Sequence, residues 1–455
     1  MIQIILRWLR TALRDAPSWQ ARRSWDTSNY NAPAEILSEI RDILEKILTQ
    51  NILPFWYPHT IDQDSGGYRL NHDAQGQWIG QNRNKQLVSQ ARVLWFFARL
   101  MTTAYRSQGH EAAARHGFQF LRDSFWDGTS GGFFWEVDST GRTPIKVDKH
   151  LYGQAFGLYA IAEYAIATQD SEAESMAQEL YSLLERHAHD AANGGYREFL
   201  RRDWRRPESS SATYMESRAD IKQLNTHIHL LEAFTRYSDL APSTAVRDRL
   251  IELILIQSNT AVRKEIVACT DIHDVDWTPS PHPAHSWVTY GHDLENIWLL
   301  IEACNAAALP NTLLRDVYES LFYNAWRFGF DRRRGGVFYQ GRLGKFATAR
   351  NKLWWVQAEA LLCALHMYCL THRQSYFRCF RETLDWIVGY QVDWDVGEWH
   401  RLIRTDRTPS GGKTGDQTGG WKTPYHNGRA IIHCLDLITD EQTRISVSQD
   451  IGAAL

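Results

Sequence analysis

The sequence predicts an all-α protein, an (α/α)6 barrel. In it, six helical hairpins form an inner and an outer ring, with short β-hairpin loops at one end. Three observations point there. A glycine-pair turn recurs at a fixed period, twelve segments carry helical periodicity, and these segments alternate between amphipathic and apolar on nearly every side. Self-similarity of this kind identifies a repeat architecture before any single motif is weighed.

The turn stands at Asp64-Ser65-Gly66-Gly67-Tyr68, Ser130-Gly131-Gly132-Phe133, Asn193-Gly194-Gly195-Tyr196 and Arg334-Gly335-Gly336-Val337-Phe338. The first glycines of the first three are spaced by 65 and 63 residues, and the fourth follows after 141, close to two periods. Degenerate copies are expected near Asp274-Val275-Asp276-Trp277 and Asp395-Val396-Gly397-Glu398-Trp399, which completes six units. Glycine supplies the positive φ that such turns demand.

Helical periodicity runs through 33–52, 84–105, 109–125, 150–167, 171–188, 219–237, 243–262, 291–307, 311–328, 350–370, 374–390 and 425–438. The second member of each pair, such as LYGQAFGLYAIAEYAIA or KLWWVQAEALLCALHMYCL, is apolar almost all round and suits a helix enclosed by others. First members such as SEAESMAQELYSLLERH keep a charged face for water. The barrel is expected to occupy residues 31–455 as one catalytic domain, since no Pro- or Ser-rich linker divides the chain. Residues 1–30 read as an extension. The apolar run Ile2 to Leu6 is broken by Arg7, Arg10 and Arg14, a pattern for an amphipathic helix rather than a secretory leader.

Composition narrows the function. With 50 Lys plus Arg against 53 Asp plus Glu, the net charge of -3 offers no basic field to nucleic acid. Nineteen Trp give flat apolar faces with polar edges, which suit sugar rings. Cys269, Cys304, Cys363, Cys369, Cys379 and Cys434 are scattered without a CxxC pair and read as buried thiols of a reducing, cytoplasmic setting. No apolar run is long enough for a membrane span.

Polar residues interrupt the apolar helices in a pattern. Arg92, Tyr152, Asn225 with His229, His292 with Glu295, Trp355 with Glu359, and His426 with Arg429 all fall in the first half of an inner helix. Around one axis they would converge on one mouth. Buried polar groups are costly unless paired, so a ring of them implies a wet, functional cavity. Each alone also has a plain structural reading: His229 as a satisfied core histidine, His292 and Glu295 as a pair one turn apart, Trp355 as core. His227 and His229 together raise the question of a metal. No HExxH or clustered cysteine set accompanies them, so neither metal nor cofactor is expected. The chain also lacks a Walker loop, a GxGxxG after a strand and a GxSxG elbow.

The segments KQLVSQARVLWFFARL, KHLYGQAFGLYAIAEY, NTHIHLLEAF, GHDLENIWLL, KLWWVQAEAL and GGWKTPYHNGRAIIHCL together resemble the N-acylglucosamine 2-epimerase superfamily, and WKTPYHNGR resembles its cellobiose 2-epimerase branch. The likeness runs in order from residue 33 to 438. The resemblance implies an (α/α)6 barrel and cofactor-free epimerisation at C2 of a reducing-end sugar. It implies His292 and His426 as paired acid/base catalysts, His229 as an aid to ring opening and Glu295 as support for His292. Arg92, Tyr152 and Asn225 would hold sugar hydroxyls or the oxyanion, Trp355 and Trp421 would wall the sugar, and Glu359 would join the binding set. The long Gly-rich segment between Trp399 and Trp421 departs from the family pattern. The expected partner is a small carbohydrate, bound by a monomer or weak homodimer. The alternatives are a mannose 2-epimerase or aldose–ketose isomerase and, from another class, a glycoside hydrolase using Asp293, Glu295 or Glu359.

Overall fold

The computed structural model describes residues 28–208, 211–215, 217–414 and 420–454. The helix expected in the N-terminal extension and part of the Gly-rich segment (415–419) lie outside the described residues. Among the described residues, twelve helices of at least 12 residues alternate between two rings. The outer ring holds α1 (Ala34–Ile47), α3 (Gln108–Phe120), α5 (Ser171–Leu183), α7 (Thr244–Leu255), α9 (Arg315–Phe328) and α11 (Gln374–Trp386). The inner ring holds α2 (Leu87–Leu100), α4 (Leu151–Thr168), α6 (Leu224–Leu240), α8 (Tyr290–Ala306), α10 (Trp354–Thr371) and α12 (Tyr425–Ala454). Each inner helix packs on the next, and α12 returns to α2. Each outer helix packs on the inner helix before it, and α1 seals the ring against α12. The molecule is an (α/α)6 barrel.

Burial separates the rings as the patterning requires. Helix α4 is buried without interruption from Leu151 to Ala165. Helix α5 buries only Ala173, Met176, Ala177, Leu180 and Leu183, one stripe at helical spacing. Among the described residues, five of the six outer helices end in a π turn (Leu48–Ile52, Leu121–Phe125, Leu184–Ala188, Ile256–Thr260 and Ile387–Gln391). After the first three of these the chain reverses into the glycine-pair turn.

That turn is locked in the same way in each unit that keeps it. In the second, Gly131 N–H donates to Asp127 O, and Asp127 N–H to Gly132 O, both at 2.8 Å. Gly132 has φ +68°, and a Cβ there would lie 2.5 Å from the Trp204 ring, so only glycine fits. The Asp127 carboxylate pairs with Lys149 at 3.1 Å, and the pairs Asp62–Lys85, Asp190–Lys222 and Asp331–Lys352 repeat the arrangement. One turn into the inner helix, Gln154 brackets the Phe133 backbone N–H and C=O, as Gln90 does for Tyr68 and Gln357 for Val337. In the third unit His227 stands in that place. It accepts the Tyr196 N–H at 3.0 Å and pairs through Nδ1 with Gln223 O at 2.8 Å. Both ring nitrogens are engaged, so His227 is a framework group with no nitrogen left for a metal.

The inner helices are held at the mouth by their neighbours. The first N–H of α2, α4, α6, α8 and α10 donates to a backbone carbonyl of the next loop: Trp135, Glu198, Asp271, Tyr339 and Arg401 respectively. A donor that a side-chain cap would ordinarily satisfy is satisfied by the following unit instead. The fourth turn along the chain is not where the sequence placed it. The reversal after α7 is the hairpin Val262–Cys269, where Val267 N–H donates to Arg263 O at 2.7 Å and Val267 itself takes φ +56°. Asp274 to Trp277 is the tip of a later hairpin whose indole packs on His227 and donates to Gly194 O. A non-glycine at positive φ removed the signal that marks the other turns.

Candidate active site

The mouth encloses a cavity of ≈ 240 Å³ lined by Arg92, Tyr152, Met215, Asn225, His229, His292, Glu295, Tyr339, Trp354, Trp355, Trp421 and His426. Every residue singled out for the site from the sequence lines it except Glu359 and Arg429, which lie behind the wall. Most of the side chains come from the first two turns of the inner helices, with Trp421 from the loop before α12 and Met215 and Tyr339 from two other mouth loops. The N-terminal ends of these helices therefore face the cavity, and their partial positive charge favours an anion there.

Behind the wall is one buried ionic cluster. Arg429, fully buried, donates through Nη2 to Glu295 and Glu359 at 2.8 Å each, and through Nη1 to Glu232 and the Tyr425 hydroxyl. Glu359 also accepts the Trp298 indole N–H at 2.8 Å, and its carboxylate meets His426 Nδ1 at 2.7 Å. Glu232 does the same for His229, with its carboxylate 3.1 Å from Nδ1, and the Tyr425 hydroxyl donates to it. Two imidazoles are thus held by carboxylates at Nδ1, which leaves Nε2 of each as the nitrogen not engaged. An imidazole so oriented presents a lone pair when neutral and an N–H when charged.

The expected support of His292 by Glu295 does not take the form of a direct hydrogen bond, although the two groups interact through charge. Among the described residues His292 makes no hydrogen bond to Glu295, which takes its bond from Arg429. His292 is instead half-buried against Trp355, ring centroids 4.9 Å apart, and the same indole meets His426 at 5.6 Å. The bonded i,i+3 pair is His229 with Glu232. Sequence reasoning missed Glu232, although its spacing from His229 is that of Glu295 from His292. It also gave Tyr425 and Arg429 no role, because a hub reaching three helices leaves no local pattern.

On the opposite wall Arg92 donates Nη2 to the Tyr152 hydroxyl at 3.0 Å and Nη1 to Trp421 O at 3.2 Å. Its guanidinium lies 4.2 Å from the Phe156 ring centroid and 4.7 Å from that of Tyr425. Arg92 Nε is buried without a partner. The guanidinium is therefore fixed beside the cavity with bonding capacity unspent.

Electrostatics sort the groups. Burial, together with the positive Arg92 and Arg429, holds the His426 ring well below the ordinary histidine range. Burial lowers His229 as well, against the pull of Glu232 and Glu295. Burial would raise Glu232, but Arg429 prevails and holds it at about 2. Glu295 is raised by burial and by Glu359 beside it, and Glu359 is raised by burial against Arg429. Ligand atoms of Glu295, Glu359 and His426 lie within 4.8 Å of one another, close enough for a cation. The Arg429 guanidinium already bonds both carboxylates from that place. The carboxylates a glycoside hydrolase would need are likewise engaged. Asp293 is fully buried and accepts the Cys269 N–H at 2.8 Å, while Glu295 and Glu359 share one guanidinium nitrogen.

A model of the N-acylglucosamine 2-epimerase (GlcNAc 2-epimerase) family matches residues 66–430. The chain belongs to that family. It is an isomerase, a carbohydrate epimerase, and its likeness is to the cellobiose 2-epimerase branch. It is 29% identical to the cellobiose 2-epimerase of Bacteroides fragilis over 87% of this chain and 98% of that one. The solved cellobiose 2-epimerase of Bacillus thermoamylovorans superposes with a TM-score of 0.79 at 27% identity, covering 89% of this epimerase and 100% of the other chain. The D-mannose isomerase of Marinomonas mediterranea is 24% identical over 86% of this chain and 96% of its own length.

Proposed function

We propose that this epimerase inverts C2 of the reducing-end sugar of a β-1,4-linked disaccharide, of the cellobiose, lactose or mannobiose type, without a cofactor. The observation that carries the reading is the convergence of three imidazoles and one guanidinium on a single cavity. The cellobiose 2-epimerase relatives support the disaccharide.

His229 moves the proton of the anomeric O1–H to O5 as the C1–O5 bond breaks, which opens the ring to the aldehyde. The proton on C2, now next to a carbonyl, passes to the Nε2 lone pair of His426, and its electron pair moves through C1 onto O1 to give a cis-enediolate. A neutral His426 with Nδ1 turned to Glu359 suits this step. Arg92 and the helix N-termini stabilise the negative oxygen, an effect of roughly 2.7–4 kcal/mol for one well-placed donor. His292, as the imidazolium, returns a proton to the opposite face of C2 while the carbonyl re-forms at C1. The reverse reaction exchanges the two roles. Trp355 and Trp421 wall the sugar, and Tyr152 and Asn225 bind its hydroxyls.

The D-mannose isomerase relative favours one second reading. Delivery of the proton to C1 of the same enediolate gives a ketose in place of an epimer. Incubation with cellobiose and with mannose in heavy water, followed by NMR of the products, separates the two. The expected product is the C2-epimeric disaccharide carrying deuterium at C2. A ketose from mannose with no epimer establishes the second reading, and epimer without deuterium removes the proton-transfer mechanism.

A further inference from the structure

Seven residues, or two turns, beyond Glu295, Glu359 and His426 on α8, α10 and α12 stand Glu302, His366 and His433. This second polar layer lies about 10 Å deeper in the barrel, toward the end away from the mouth. We propose that it binds one divalent ion of the borderline class, zinc, cobalt(II) or nickel(II), through Glu302, His366 Nε2 and His433 Nδ1.

The geometry is that of a ligand set. The three candidate ligand atoms lie within 4.8 Å of one another, with a Glu302 oxygen 3.1 Å from His433 Nδ1 and 3.7 Å from His366 Nε2. A tetrahedral zinc ion with bonds near 2.0–2.2 Å holds its ligands about 3.3–3.6 Å apart. The second observation is independent of the spacing. His366 Nε2 is buried, with 8% of the side chain exposed, and has no hydrogen-bond partner although it points at the carboxylate. A buried ring nitrogen left in that state is one that a metal would satisfy. Both imidazoles are held in place by one indole: Trp298 stacks on His366 at 6.0 Å and meets the edge of His433 at 5.8 Å.

Two imidazoles and a carboxylate select borderline divalent ions over calcium or magnesium, and they leave positions for water. The Glu302 side chain is 30% exposed and His433 15%, so an ion has a path from that end. The ion would clip together the three helices that carry His292, Trp355 and His426. Sequence reasoning expected no metal because no HExxH or clustered ligand motif is present, and Glu302, His366 and His433, on different repeats, form no such local pattern.

The test uses the whole protein, stripped with a chelator, dialysed and titrated with cobalt(II) chloride while the visible d–d bands are followed. Zinc chloride is then added during a thermal melt. One equivalent of cobalt per chain and a zinc-dependent rise in Tm are expected. Both are lost in His366→Ala and in Glu302→Gln, and both persist in His426→Asn, which alters only the upper layer. Circular dichroism checks that each variant is folded, and His433→Asn substitutes for any that is not. Failure of the native protein to take up cobalt, uptake that survives the lower-layer variants, or uptake that His426→Asn removes overturns the proposal.

Discussion

The two polar layers of the inner ring use the same three helices, two turns apart, yet differ in what fills them. In the upper layer a guanidinium from α12 bonds both carboxylates, and one of these orients the histidine. In the lower layer, among the described residues, no guanidinium bonds Glu302, and a ring nitrogen is left without a partner. Trp298 divides them, its N–H on Glu359 and its ring on His366. The comparison teaches that the side chains presented by helix faces do not alone set the chemistry of a layer. The cation placed among them does.

Removing that cation is the strongest way to break the contrast. Arg429→Met leaves three buried carboxylates without their common partner, and a loss of about 3–5 kcal/mol in chemical denaturation is expected, together with loss of turnover. Next come the proton-transfer groups. His426→Asn is expected to lower kcat by about 10²–10⁴ with stability little changed. Glu359→Gln, at a carboxylate that orients that ring from behind the cavity wall, should lower kcat by about 10–100-fold. Equal losses in steady-state assays of the two variants would mean that Glu359 does more than position. The last effect is on acid stability and leaves turnover at neutral pH aside. Glu232, held at about 2 by Arg429, contributes stability that is full above its ordinary value of 4.5 and fades as the pH falls toward 2. Glu295 and Glu359, raised by burial, act in the opposite sense. The difference in acid unfolding between the native protein and Glu232→Gln therefore isolates the Glu232 contribution, about 3 kcal/mol or less.

Much of this architecture was legible because the signals were local. The inner helices α4 and α10 are apolar on all sides, and the few polar residues near their starts stood out against that background. Residues such as Arg92 and His292 could be grouped once the repeat was seen. What was not legible depended on partners distant in sequence. The π turns carry no residue signature, and the caps of the inner helices come from the neighbouring unit. The fourth turn was misplaced because Val267 adopts a conformation that glycine adopts elsewhere. Glu295 was matched to His292 by spacing, but helix neighbours on one face need not bond when Arg429 competes for the carboxylate.

The seal between α1 and α12 has a consequence for how the molecule comes into being. The last of the twelve helices brings His426, the hub arginine and the closure of the ring together. Without that helix the other five inner helices have no complete catalytic well and no balance for the carboxylates on α6, α8 and α10. A product truncated before that helix would therefore be inert rather than partly active.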